Sequence, residues 1–346
     1  MSPQKLVEFM NKGSNVFLAA SHSTRDPVRD FAKEFGIDLA PRDTHLVDHF
    51  NFHKNSSEKH TLVNLTPLTG LNHILSSSSP ILYRGSAHGL SNSEFLIPIL
   101  AGNEESYTFD STEEMDSSQN PWVVGTQAFV VSAFQANNNA RLVVSSSLEM
   151  LSNEFFELNN NNVQFAKDIT SWTFQESGVI KTTRFDHHHP GQESSEEEPS
   201  VYRVGDEVVV NLGLSEYRDG KWVPFEADDI QLSTIMLDPY IRSTFPPPIL
   251  KSSDSALYTL KFKLPDHYGV FHFKIDYRRA GLSYIEERKQ FTLRHVRHDE
   301  YPRFISSAWV YYTSAGTIFI GWFGLVLVWI SMKPNNPLQQ GSKKSD

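Results

Sequence analysis

The stretch "THLVDHFNFHK" gathers His45, Asp48, His49 and His53. Imidazoles and a carboxylate are the ligand types of a zinc or other transition-metal centre, provided that they converge with a fixed geometry. The H-E-x-x-H spacing that puts two imidazoles on one helical face is missing, so the expected reading is polar loop text. His187, His188 and His189 could also take up a metal, but they precede "PGQESSEEEPS", a segment that would not hold ligands in place. Asp228-Asp229 and Glu286-Glu287 are carboxylate pairs of the kind used for acid–base work. Neighbouring residues of a strand face opposite ways, which makes solvated surface the expectation. "GSAHG", Gly85–Gly89, lacks the context of a phosphate cradle. There is no G-x-G-x-x-G after the first apparent strand, no Walker loop and no G-x-S-x-G elbow. The 346 residues include no cysteine, which removes thiol chemistry, disulfides and thiolate-held metals. The sequence therefore predicts no catalytic residue, no metal and no cofactor.

The elements around these residues change character along the chain. "DPVRDFAKEFG" is the clearest helix: Asp26 can cap it, Pro27 suits its first turn, Val28, Phe31, Ala32 and Phe35 share one face, and Gly36 ends it. "PQKLVEFMNKG" reads as a shorter helix, and "NVFLAA", "TLVNL", "ILYRG", "TQAFVVSAF" and "RLVVSSS" as strands. Helical text is expected at "LTGLNHIL", "EFLIPIL", "SLEMLSNEFF" and "NNVQFAKDITSWTFQE", with Ser76–Ser79 and Asn159–Asn162 as loop material. Such alternation predicts an α/β domain over residues 1–180 with a largely parallel sheet. An acidic linker follows at 181–200. Residues 201–303 are strand-rich, with runs such as "EVVVNLGLSEY", "ALYTLKFKL" and "GVFHFKIDY" separated by turn signals. Asp219-Gly220 suits a tight hairpin, and the pattern predicts an antiparallel β-sandwich-like domain.

The formal net charge of −10 argues against a nucleic-acid partner, which needs clustered cations. Between Arg303 and Lys333 no residue is charged. Residues 308–332 are long and apolar enough for one transmembrane helix, with Tyr311, Tyr312 and Trp329 where interfacial aromatics belong. Thr313, Thr317, Gly321 and Gly324 recur on one helical face, a pattern that admits close approach of a second helix. The bilayer is thus an expected partner.

The remaining tail, 333–346, ends in "SKKSD". Lys343 and Lys344 stand at the −4 and −3 positions of a dilysine retrieval signal, an address read by cytosolic coat proteins. That signal requires a cytosolic tail and lumenal domains in the endoplasmic reticulum, a single-pass type I arrangement. "MSPQKLVEFMNKG" does not read as a signal peptide, so the expectation is that this chain starts late within its α/β domain, through truncation or a mis-set start. Two acceptor sequons, Asn55-Ser56-Ser57 and Asn64-Leu65-Thr66, would be lumenal in that arrangement and open to glycosylation.

Several stretches together resemble one family. "NNAR" with "SLEMLSNEFF", "GKWVPFEADDIQL" with "DPYIR", "KLPDHYGVFHFKIDY" and "RFISSAWVYYTSA" are similar to the non-catalytic, 48 kDa-type subunit of the endoplasmic-reticulum oligosaccharyltransferase, and the likeness covers nearly the whole chain. The resemblance implies a part in transferring a preassembled glycan from dolichyl diphosphate to Asn in Asn-x-Ser/Thr. It implies catalysis by another, multi-span subunit, and neighbours of the ribophorin II and defender-against-cell-death types. The role expected here is assembly and stabilisation. A membrane-anchored α/β hydrolase or transferase and an early-secretory cargo receptor are the competing readings.

Overall fold

A computed structural model describes residues 2–110, 120–191, 198–218 and 220–333. These form two compact units, Met1–Arg294 and one beginning at His295.

In the N-terminal part of the first unit a six-stranded sheet is ordered Val16–Ala19, Arg141–Ser145, Phe129–Gln135, His88–Leu90 and Ile37–Leu39, with Leu96–Ala101 also paired to Phe129–Gln135. Val16–Ala19 and Arg141–Ser145 are parallel. The other pairs in this sheet are antiparallel, so the expected parallel sheet is a mixed one. The reason lies in the connections: Phe129–Gln135 pairs with Arg141–Ser145 across the short link of residues 136–140, whereas a parallel return needs a crossover of a dozen residues or more. Asn139, at φ 63°, makes that link a tight turn.

Helix Asp26–Glu34 buries Phe31 and Ala32 as its periodicity requires. Asp26 does not cap it; Arg25 holds the cap position without a side-chain bond, and the Asp26 carboxylate pairs with Arg42 instead. "LTGLNHIL" forms turns, and "EFLIPIL" contributes the strand Leu96–Ala101. Pro98 has no N–H to give a helix and interrupts the register here. The Asn159–Asn162 run is no loop: Asn159 accepts from the Asn161 N–H and caps helix Asn160–Thr173. Buried Asn162 bonds both the N–H and the carbonyl of Leu82, at 2.9 and 2.8 Å.

Beyond this part, two further five-stranded sheets share one apolar core. One is ordered Val179–His188, Glu207–Arg218, Ala256–Lys263 and Leu250–Lys251, with Lys221–Pro224 on Glu207–Arg218. The other runs Val201–Arg203, Ile285–Arg294, Gly269–Tyr277, Gln231–Ile235 and Pro239–Thr244. Val210, Leu212, Tyr258, Phe271, Phe273 and Phe291 meet in their core. All pairs are antiparallel except Val201–Arg203 with Ile285–Arg294. The hairpin closes between Arg218 and Lys221 with Gly220 at φ 77°. Residues 181–188, read as linker from their polarity, are strand: Phe185 and His187 turn inward while their neighbours face out.

The second unit contains helix Trp309–Ser331, preceded by a 3-10 turn at Ser306–Ala308. No residue of this helix is buried, and at about 1.5 Å per residue it measures about 34 Å.

Candidate functional site

Most of the candidate side chains make bonds or contacts within the fold. Asp48 accepts from the N–H groups of Phe50 and Asn51 at 2.8 and 2.9 Å, and from the amides of Asn51 and Asn103 at 3.2 and 2.7 Å. Burial alone would raise its pKa, but these four donors hold it below the usual carboxylate value. His45 lies against His22, with ring centroids 4.7 Å apart, and burial lowers its pKa. His49 bonds His60 at 2.7 Å and Tyr107 at 2.9 Å. The His53 Nδ1 accepts from the Asn55 N–H. The four residues therefore do not converge, and among the described residues no three His, Asp or Glu side chains could hold a metal ion.

His187 is buried and bonds the Tyr202 hydroxyl at 2.8 Å, with Glu198 3.7 Å away. Burial lowers its pKa. His188 and His189 do not join it in a ligand set: His188 contacts the His189 carbonyl and the Asn211 amide. Asp229 accepts from Tyr277 and Arg279, and Glu286 pairs with Lys274. In "GSAHG" a side chain on Gly85 would run into Ser147 and Ser146, so the glycine serves packing, not a ligand. His88 is fully buried between the hydroxyls of Ser146 and Ser132, at 2.6 and 2.7 Å. Burial drives its pKa down to about 3.

A largely buried polar seam joins the N-terminal part to the sheets that follow. Arg141 opens the strand Arg141–Ser145, and its guanidinium donates to the carbonyls of Trp172, Ser177 and Gly178 at 2.6, 2.8 and 2.6 Å. Its Cζ sits 4.5 Å from the Trp172 ring centroid. Burial pulls its pKa down to about 10, which leaves it charged at neutral pH. Trp172, at the end of Asn160–Thr173, donates its indole N–H to the Gly281 carbonyl at 2.7 Å. Gln135 reaches the Leu282 carbonyl at 2.8 Å. Asn139 exchanges two bonds with the Tyr284 backbone at 3.1 and 2.6 Å. Gly178, at φ +64°, packs so tightly on the Gly281 carbonyl that a Cβ there would overlap it. Such a bonded network fixes two packed layers relative to one another; it offers no nucleophile. The sequence reading missed these residues. The available signal was Arg141 itself, a lone cation leading the apolar run "LVV".

In the helix Trp309–Ser331, Thr313 and Thr317 donate their hydroxyls to the carbonyls of Val310 and Ser314, at 2.9 and 2.8 Å. Nothing lies within 4 Å of a Cβ built on Gly321 or Gly324, so that face is open. Asn55 is exposed, whereas Asn64 is half-buried in the strand Val63–Leu65. Lys343 and Lys344 lie outside the described residues.

Residues 1–176 match the OST48 N-terminal domain and residues 187–333 the OST48 middle domain. The chain belongs to the OST48 family. It is 35% identical over 354 residues to the dolichyl-diphosphooligosaccharide–protein glycosyltransferase subunit wbp1 of Schizosaccharomyces pombe, covering 100% of this chain and 80% of that protein. The 48 kDa subunits of the same glycosyltransferase from Drosophila melanogaster and Danio rerio are 31% and 32% identical. Those alignments cover 99% and 95% of this chain, and 79% and 76% of the fly and fish proteins.

Proposed function

We propose that this OST48 chain is a non-catalytic, membrane-anchored structural subunit of the oligosaccharyltransferase, the complex that moves a preassembled glycan from dolichyl diphosphate to Asn in Asn-x-Ser/Thr of nascent proteins. Family membership along almost the entire chain supports its place in protein N-glycosylation. The observation that carries the structural role is the use made of its polar side chains. His88, Arg141, Asp48 and His187 are committed to internal bonds that hold layers and loops together.

In this reading residues 1–303 stand in the lumen of the endoplasmic reticulum, 308–332 spans the membrane, and 333–346 is cytosolic. Lys343 and Lys344 then act as the retrieval signal. The face Thr313, Thr317, Gly321 and Gly324 packs against another subunit's helix, and the multi-span catalytic, ribophorin II-type and defender-against-cell-death-type subunits are the neighbours. The test is a transfer assay with a lipid-linked glycan and an acceptor peptide. A complex isolated through a tag on this chain transfers glycan, while the purified chain alone transfers none. Transfer by the lone chain would overturn the non-catalytic role; an inactive, subunit-free isolate would overturn the assembly role.

A further inference from the structure

Ahead of the C-terminal helix, the apolar surface does not stop where the helix starts. Tyr301, Phe304 and Ile305 are 63%, 70% and 57% exposed, continuous with exposed Trp309, Val310 and Tyr311. The segment is tied to the helix. Phe304 meets Tyr312 of the first helical turn edge-on, with centroids 6.1 Å apart and planes at 84°. The Ile305 N–H donates to the Tyr312 hydroxyl at 3.4 Å. The 3-10 turn Ser306–Ala308 closes the link, and the Arg303 guanidinium lies 5.8 Å from the Phe304 ring. These contacts give large apolar side chains a fixed outward position within the second unit, where none of its described residues buries them.

The length of the helix says what covers them. Its 23 residues rise about 34 Å, enough to fill the ~30 Å hydrocarbon layer unaided. Residues just before Trp309 therefore fall at the level of the lipid headgroups. That layer favours rings with one apolar and one polar end, and a guanidinium there can pair with phosphate. We propose that Arg303–Tyr312 forms an interfacial collar seated on the bilayer, with Phe304 and Ile305 at the boundary of the acyl chains and Arg303 on lipid phosphate. The collar rests on the reading of Trp309–Ser331 as a membrane span.

The chain has no cysteine, so a single introduced thiol reports on one position. The full chain is prepared as Phe304→Cys, Asp299→Cys and Phe319→Cys, reconstituted into phosphatidylcholine–phosphatidylserine vesicles and labelled with a fluorophore. Nitroxide-bearing lipids then quench it from shallow or deep acyl positions. The label at 304 is expected to be quenched best by the shallow nitroxide, that at 319 by the deep one, and that at 299 by neither. Before labelling, a water-soluble maleimide should modify position 304 at least about tenfold more slowly than position 299, since thiol reactivity follows access. Adding Arg303→Glu should weaken quenching at 304 and leave 319 unchanged. A 304 label that is unquenched would overturn the collar, whether it reacts freely with maleimide or is shielded by protein. Quenching at 304 that is indifferent to Arg303→Glu would overturn the phosphate contact. Loss of quenching at 319 would instead remove the span itself.

Discussion

Replacing Gly178 with alanine tests whether the seam holds the first unit together. Gly178 has φ +64°, and its added Cβ would overlap the Gly281 carbonyl oxygen while lying 3.2 Å from Trp172 Cδ1 and 3.3 Å from the His73 carbonyl. Left-handed backbone costs alanine about 1–2 kcal/mol. Forcing extra volume into a packed region costs about 1–3 kcal/mol. Relief requires Gly281 to withdraw, and its carbonyl is the acceptor of the buried Trp172 indole N–H; an orphaned buried donor adds about 1–3 kcal/mol. The sum is about 3–8 kcal/mol. For a unit of this size that lowers the melting temperature by about 10 °C. Gly13→Ala is the control, because Gly13 has φ +88° with nothing within 4 Å of the added Cβ; it carries the backbone strain alone. Thermal unfolding of the detergent-solubilised chain, followed by tryptophan fluorescence, compares the two. If Gly178→Ala melts together with Gly13→Ala, the close approach of Gly178 to Gly281 contributes nothing and the argument for a stiff seam fails.

His88 has a folded pKa near 3 against an unfolded value of about 6.5, so the unfolded state binds its proton first. Stability is complete above about pH 6.5 and is lost progressively as pH falls towards about 3; urea unfolding across that range should show the loss, and His88→Gln should flatten it. Gly321→Leu or Thr317→Leu should weaken recovery of partner subunits in mild detergent at a cost of about 1–2 kcal/mol, with the melting of the first unit unchanged; full recovery would show that this face meets only lipid. Asn55, exposed in the turn text "HKNSSEKH", should carry a glycan in lumenal chains, seen as a glycosidase-sensitive mobility shift abolished by Asn55→Gln. Half-buried Asn64 should be modified less. Degradation of the folded parts by protease added outside sealed microsomes would contradict the lumenal placement.

Local pattern was enough for elements whose burial is one-sided. The spacing of Phe31 and Ala32 marks a helix, and the alternation in "GVFHFKIDY" marks a strand buried on one face. A short run that is apolar throughout, such as "FLIPIL", carries no period, and helix and strand cannot be told apart from it; pairing with Phe129–Gln135 decided the matter. Polarity misled at residues 181–188, where a histidine fills a core position because the Tyr202 hydroxyl takes its ring nitrogen. The seam was illegible for a different reason. Arg141, the stretch from Trp172 to Gly178, and Gly281 are far apart in the chain, and only the folded backbone brings the carbonyls to the guanidinium.

The hydroxyls of Thr313, Ser314, Thr317 and Ser331 all donate to carbonyls of their own helix. A helix arriving alone in lipid would thus keep these four hydroxyls satisfied without a partner. If the proposed membrane reading holds, these hydroxyls set no requirement for a companion helix at insertion, and docking with other subunits becomes a step that can be timed separately.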